Sequence, residues 1–190
     1  MTLEGLLADA RERLATRAID EGVAKVAVDV MESPLGPLWL ALGPRGMLAI
    51  HYGAGAPEGD LRRIVARYGP GVLRAPQRLD AVKRELDEYF AGKRTRFELS
   101  VDLSALTPFQ RRVLAATKRV PYGRVRSYRE IATTAGAPLA VRATGNALGA
   151  NPIPIVVPCH RVLGSDGSLH GYAGGLDRKR WLLHLEGALE

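Results

Sequence analysis

Cys159 is the chain's only cysteine. It stands in Pro158-Cys159-His160-Arg161-Val162, directly after the apolar run Ile153-Pro154-Ile155-Val156-Val157. A single cysteine cannot close a disulfide within the chain. A thiol beside an imidazole in a basic segment can be held partly as thiolate, and the thiolate is the nucleophile. The same pattern also suits a small buried hydrophobe at a strand end. The flanking segments favour the nucleophile. Metal chemistry is not indicated, because His51, His160, His170 and His184 with the one cysteine show no metal-ligand spacing. There is no Walker loop and no Gly-x-Gly-x-x-Gly opening a helix, so no cofactor is expected. His51, His170 and His184 read as surface or structural residues.

Composition and charge limit what such a residue could act on. The 190 residues suffice for one domain with a good core or two small ones. No apolar run is long enough to span a bilayer, and Met1-Thr2-Leu3-Glu4 lacks the basic start of a secretory signal. A cytoplasmic protein with no membrane contact is the expectation, and a reducing compartment preserves a free thiol. The formal net charge is +7 and uneven: 15 Lys+Arg face 14 Asp+Glu over residues 1–100, against 12 and 6 over residues 101–190. The excess lies with the cysteine, which suits a polyanionic partner or simply a basic surface.

The elements that must position Cys159 can be read from periodicity and punctuation. Leu3, Leu6, Leu7, Ala10 and Leu14 have helical spacing, which predicts a helix over 3–18. Strands are predicted over 23–31, 37–42 and 47–52, joined by turns at Ser33-Pro34-Leu35-Gly36 and Gly43-Pro44-Arg45-Gly46, as an antiparallel meander. Helices over 60–68 and 78–90 and a short extended link over 97–103 complete this part. A second part begins near residue 104. Thr107-Pro108-Phe109-Gln110 and Ser127-Tyr128-Arg129-Glu130 are capping boxes, each opening a helix. The first helix ends before Pro121-Tyr122-Gly123 and the second at Gly136. Pro138 is expected to start a further helix over 139–148, giving a helix-turn-helix. A last helix over 178–186 is expected, capped by Asp177 and ended by Gly187.

The second helix of that pair would present Ala140, Ala143, Gly145 and Ala147 with a single Arg142 among them. Small residues permit close approach to a groove read by shape, or close packing against another helix. A major-groove reader would carry several long polar side chains.

Residues 104–187 resemble the active-site domain of the O6-alkylguanine-DNA alkyltransferases, also called methylated-DNA–protein-cysteine methyltransferases. The likeness rests on Pro121-Tyr122-Gly123-Arg124-Val125, on Arg142-Ala143 through Gly149-Ala150-Asn151-Pro152, on Pro158-Cys159-His160-Arg161-Val162 and on Gly171-Tyr172-Ala173-Gly174-Gly175-Leu176. Residues 24–100 resemble the family's N-terminal domain, with little specificity. The resemblance implies an α/β fold, with a ribonuclease-H-like antiparallel sheet and helices, then a mostly helical part holding a winged helix-turn-helix. The division expected is 1–22 as a helical extension, 23–100 as an α/β domain and 104–190 as the DNA-binding and active-site domain.

The resemblance also implies roles. Cys159 would accept the alkyl group from O6-alkylguanine in double-stranded DNA, irreversibly and once per molecule, with O4-alkylthymine a further candidate substrate. His160 would act as base on the thiol through a water, and Glu186 would orient His160. Tyr128 would donate to the guanine and stabilise the leaving purine. Asn151 would brace the turn before the active-site strand. Arg142 would fill the gap left by the flipped nucleotide, approached from the minor-groove side, with Ala140, Ala143 and Gly145 beside it. Pro154, Tyr172 and Ala173 would line the pocket, with the backbone of Cys159 and Val162 reading the base amine. A monomer is expected. Leu114 stands where many members carry Trp, Ala173 where some carry Ser, and the N-terminal zinc ligands of some members have no counterpart. Three alternatives are weaker. A non-catalytic lesion sensor would replace Cys159, a transcription factor would not offer so small a helix face, and a cysteine hydrolase would need an oxyanion loop.

Overall fold

The computed structural model describes residues 3–189. The chain forms two compact units, one running up to Asp87 with Leu99–Asp102 added, the other comprising Glu88–Glu98 and everything from Leu103.

The first unit opens with helix α1 (Leu3–Asp20) and then strands β1 (Val26–Met31), β2 (Leu38–Gly43) and β3 (Gly46–Tyr52). The three strands pair antiparallel in the expected meander. The first turn is set by Ser33, whose hydroxyl donates to Gly36 O at 2.6 Å and accepts from Leu35 N at 3.2 Å. β1 begins at Val26 rather than at residue 23, and Val23 is 77 % exposed. Helix α2 (Glu58–Tyr68) and a fourth strand, β4 (Val72–Arg74), follow. β4 pairs parallel with β1 at the sheet edge, giving the order β3-β2-β1-β4. The sheet is therefore antiparallel with one parallel edge strand, which the three-strand meander expected from sequence lacks. Gly46 is required where the chain returns against β3: a Cβ there would lie 2.4 Å from Ser100 O. Helix α3 (Asp80–Phe90) is preceded by a 3₁₀ turn at Pro76–Leu79. The core joins Val26, Trp39, Ala41, Leu48, Ala49 and Ile64.

The second unit is mostly helical. α4 (Pro108–Lys118) and α5 (Tyr128–Thr134) both start with the capping boxes read from sequence. Thr107 Oγ1 accepts from Gln110 N at 3.2 Å while Gln110 Oε1 accepts from Thr107 N at 2.9 Å. Ser127 and Glu130 repeat the arrangement at 3.2 and 2.7 Å. α6 (Val141–Gly149) starts later than expected. Pro138 and Leu139 lie in the turn, and Ala140 precedes the helix with no side-chain cap. β5 (Arg126–Ser127) pairs parallel with β6 (Val162–Leu163). α7 (Leu176–Leu185) starts earlier than expected. Its cap is Gly175, at φ 87°, not Asp177; Asp177 lies in the first turn and pairs with Arg180 at 3.2 Å. Residues 152–158 form tight turns, not the strand expected before Cys159. Leu114 is fully buried on α4. Among the described residues no helix is long and apolar enough to cross a membrane.

Candidate active site

The chain between α6 and Cys159 folds around the Asn151 side chain. Asn151 Oδ1 accepts from Ile153 N at 3.1 Å, and Nδ2 donates to Val157 O at 2.8 Å and to Cys159 Sγ at 3.1 Å. Within this loop Ile155 has φ 73°, a left-handed conformation in a β-branched residue. Such a residue costs about 1–3 kcal/mol and persists only where its surroundings over-determine it. Here Val156 N bonds Pro154 O at 2.9 Å, Val157 N bonds Ile153 O at 2.9 Å, and Ile153, Ile155 and Val157 are fully buried. One amide thus closes the turn and touches the sulfur.

Cys159 opens a 3₁₀ turn, Cys159–Arg161, and is 7 % exposed. Burial pushes its thiol pKa up; the Asn151 donor and the charge of Lys179 pull the other way without reversing it. Burial thus works against the partial thiolate that the Cys-His pairing allows. His160 is fully buried, and burial lowers its pKa, opposed by Glu186 and helped by the charges of Arg161 and Lys179. Its Nε2 lies 2.9 Å from Glu186 Oε1. Facing an ionised carboxylate, Nε2 carries the proton and Nδ1 is left with a free lone pair. Nδ1 is buried with no hydrogen-bond partner among the described residues.

Glu186 caps the end of α7. Burial would raise its pKa, but hydrogen bonds from His160 and Arg161 outweigh that and hold it at about 2. Arg161 grips both oxygens, Nε to Oε2 and Nη2 to Oε1, each at 2.8 Å. The Tyr89 hydroxyl also donates to Oε1, at 2.6 Å, and Gly123 N to Oε2 at 3.3 Å. Gly123, at φ 69°, allows that approach, since a Cβ would lie 2.9 Å from Glu186 O. The Pro121-Tyr122-Gly123 turn is tied further by Tyr122, whose hydroxyl donates to Leu185 O at 2.9 Å.

Cys159 lines an open cleft of about 690 Å³. Tyr128, Arg142 and Gly145 from α5 and α6 line it, with His170, Tyr172 and Ala173. Tyr128 is half-buried, and burial, aided by the neighbouring Cys159, pushes its phenol up, so it stays a donor. A Cβ on Gly145 would come 3.8 Å from the Tyr128 ring, so the glycine keeps this approach open. Arg142 and Ala143 are exposed, Ala140 half so, whereas Ala147 is buried and faces the core. Pro154 and Val162 are buried and lie outside the lining of the cleft.

Several residues were not anticipated. Lys179 is fully buried; its Nζ donates to Val162 O at 2.7 Å and His170 O at 3.0 Å, and burial lowers its pKa to about 8. Its place three and four residues before Leu182 and Leu183, on the apolar stripe of α7, was a usable signal. His170 lines the cleft, its ring 5.9 Å from that of Tyr128 and its Nε2 3.0 Å from Ser168 Oγ. Arg161 lies inside the motif yet received no role, and Tyr89 carried no sequence signal. Among the described residues no group of three or more His, Cys, Asp or Glu could hold a metal ion.

Comparison with known proteins fits this arrangement. The family model described as 6-O-methylguanine DNA methyltransferase, DNA binding domain, matches residues 108–188. That described as 6-O-methylguanine DNA methyltransferase, ribonuclease-like domain, matches residues 26–103. A methylated-DNA–protein-cysteine methyltransferase of Mycobacterium bovis is 45% identical over 159 residues, covering 82% of this chain and 89% of that protein. One of Salmonella typhimurium is 40% identical over 173 residues, covering 83% and 93%. The crystal structure of Mycobacterium tuberculosis OGT in complex with DNA superposes with TM-score 0.74 at 40% identity, covering 85% of this chain and 93% of that one.

Proposed function

The chain belongs to the 6-O-methylguanine DNA methyltransferase family, and we propose that it repairs DNA by direct reversal, moving the alkyl group of O6-alkylguanine onto Cys159. The observation that carries this reading is a pair of hydrogen bonds on consecutive residues, Asn151 to Cys159 and His160 to Glu186, with Cys159 lining the cleft. These residues supply a nucleophile, a donor for its thiolate, a neutral imidazole and a carboxylate that fixes the tautomer.

His160 Nδ1 takes the Cys159 proton through a bridging water, and Asn151 Nδ2 steadies the sulfur. The thiolate attacks the alkyl carbon in line, an S–C bond forms and the C–O6 bond breaks, its electrons returning to the purine. Tyr128 donates to the base as that charge develops. The thioether cannot return to thiol, so each molecule acts once. O6-alkyl carbon is a poor electrophile, and alignment supplies much of the rate. The cleft admits a base only when it is flipped from the stack, and a poorly paired lesion costs less to flip. Arg142 fills the gap, with Ala140, Ala143 and Gly145 allowing α6 to approach from the minor-groove side. Tyr172 and Ala173 flank the base. O4-alkylthymine is a second candidate substrate for the same chemistry. The unit from residue 104 onward acts as the DNA-binding part of a monomer, and a reducing cytoplasm keeps the thiol free.

The experiment is repair of a restriction site blocked by O6-methylguanine. Wild type should restore cutting in proportion to protein added, and Cys159→Ser should restore none. Restoration by Cys159→Ser, or continued restoration beyond the amount of protein, would overturn the proposal.

A further inference from the structure

Glu186 receives more donors than the orientation of one histidine requires. Oε1 accepts from His160 Nε2 at 2.9 Å, Arg161 Nη2 at 2.8 Å and the Tyr89 hydroxyl at 2.6 Å. Oε2 accepts from Arg161 Nε at 2.8 Å and Gly123 N at 3.3 Å. A carboxylate offers about four lone-pair sites, so these donors saturate it. Tyr89 is fully buried at the end of α3, with its ring 5.2 Å from Phe97 and 6.1 Å from Tyr122. Any backbone carbonyl would satisfy a buried phenol. This one is instead aimed at the same oxygen that faces His160. Burial and the Glu186 charge push the phenol far up, so it remains a donor at every working pH.

We propose that Tyr89 is a positioning residue for the transfer reaction: its hydroxyl on Glu186 Oε1 limits how strongly that oxygen holds a proton on His160, keeping the imidazole neutral and able to take the Cys159 proton. The proposal rests on the reading of His160 as the base. Among the described residues, the charged groups acting on His160 are Glu186, Arg161 and Lys179, and the Tyr172 ring lies 6.5 Å away. Among these Glu186 is the anion, so the charge it offers at Oε1 sets the basicity of the ring. Each donor on Oε1 spreads that charge. Tyr89 does so without adding a cation beside the imidazole. Too basic a ring would sit protonated and could not accept from the thiol.

Tyr89→Phe removes the hydroxyl and keeps the ring packing. Two readouts are needed in the full-length protein: titration of His160 by NMR with isotope-labelled histidine, and the rate of alkyl transfer from an O6-methylguanine duplex against pH. The His160 midpoint should rise by about half to one pH unit, the acid limb of the rate profile should move up with it, and the plateau should stay within about threefold. In a Glu186→Gln background Tyr89→Phe should shift neither, because the effect passes through the carboxylate. A midpoint that does not move overturns the proposal, whether or not the rate falls; a uniform rate loss would mark Tyr89 as packing only. If wild type transfers no alkyl group, the base reading fails, while the NMR shift still decides whether Tyr89 sets the basicity of His160.

Discussion

Asn151→Ala tests how the site is built. The substitution deletes three hydrogen bonds: to Ile153 N, to Val157 O and to Cys159 Sγ. The two backbone groups belong to fully buried residues, so water cannot replace the lost partners. Each orphaned group costs about 1–3 kcal/mol. Ile155 at φ 73° loses a constraint on either side, so part of the loss can be recovered by relaxing that strain. The net expectation is a destabilisation of about 2–4 kcal/mol. The third bond acts on chemistry. Loss of a donor to the thiolate should raise the thiol pKa by about one unit, leaving roughly tenfold less thiolate at neutral pH. Asn151→Asp separates the two effects. It keeps an acceptor for Ile153 N but sets a carboxylate against the sulfur, so it should raise the thiol pKa further than Ala. Guanidinium unfolding reads the first effect, and the rate of iodoacetamide alkylation against pH reads the second, without background because Cys159 is the only cysteine. Wild-type stability within about 0.5 kcal/mol together with an unchanged alkylation profile in Asn151→Ala would refute the reasoning.

Three further outcomes follow from the same geometry. His160→Ala should slow transfer at neutral pH by roughly 10²–10⁴-fold and lose less at high pH, where the thiolate forms unaided; a pH-independent loss measured by single-turnover kinetics would contradict the base role. Glu186 has a folded pKa of about 2, depressed from 4.5, so its contribution is complete above pH 4.5 and is lost as pH falls toward 2. The full span corresponds to about 3 kcal/mol, and Glu186→Gln should flatten that part of the stability–pH curve in denaturant melts. Arg142→Ala should slow repair of a duplex on the order of tenfold while leaving reaction with free O6-benzylguanine nearly unchanged; equal slowing of both would place Arg142 inside the reacting pocket.

Local chemistry was readable where it was self-contained. The Thr107 and Ser127 capping boxes need only four consecutive residues each, and both formed. β4 has three residues, too few for a period, and exists because β1 offers it an edge. α6 begins at Val141 because residues 137–140 are taken up in a turn that Ala140 N closes on Ala137 O. The apolar run before Cys159 suggested a strand, but Asn151 satisfies its backbone and bends it into turns. The Cys159–His160–Glu186 set was legible through a resemblance. The donors that saturate Glu186 were not, since Tyr89, Gly123 and Arg161 are brought together only by long-range folding, Tyr89 across 97 residues. The depth at which Cys159 is buried, which pushes its thiol pKa up, is likewise not written in local sequence.

The central claim is that Cys159 takes one alkyl group and keeps it. Intact mass spectrometry after incubation with excess O6-methylguanine duplex, followed by peptide mapping, tests it most directly. The account predicts a single added methyl group per chain, located on Cys159, with no further addition however long the incubation. An unmodified chain beside repaired DNA, or a methyl group on any other residue, would contradict it.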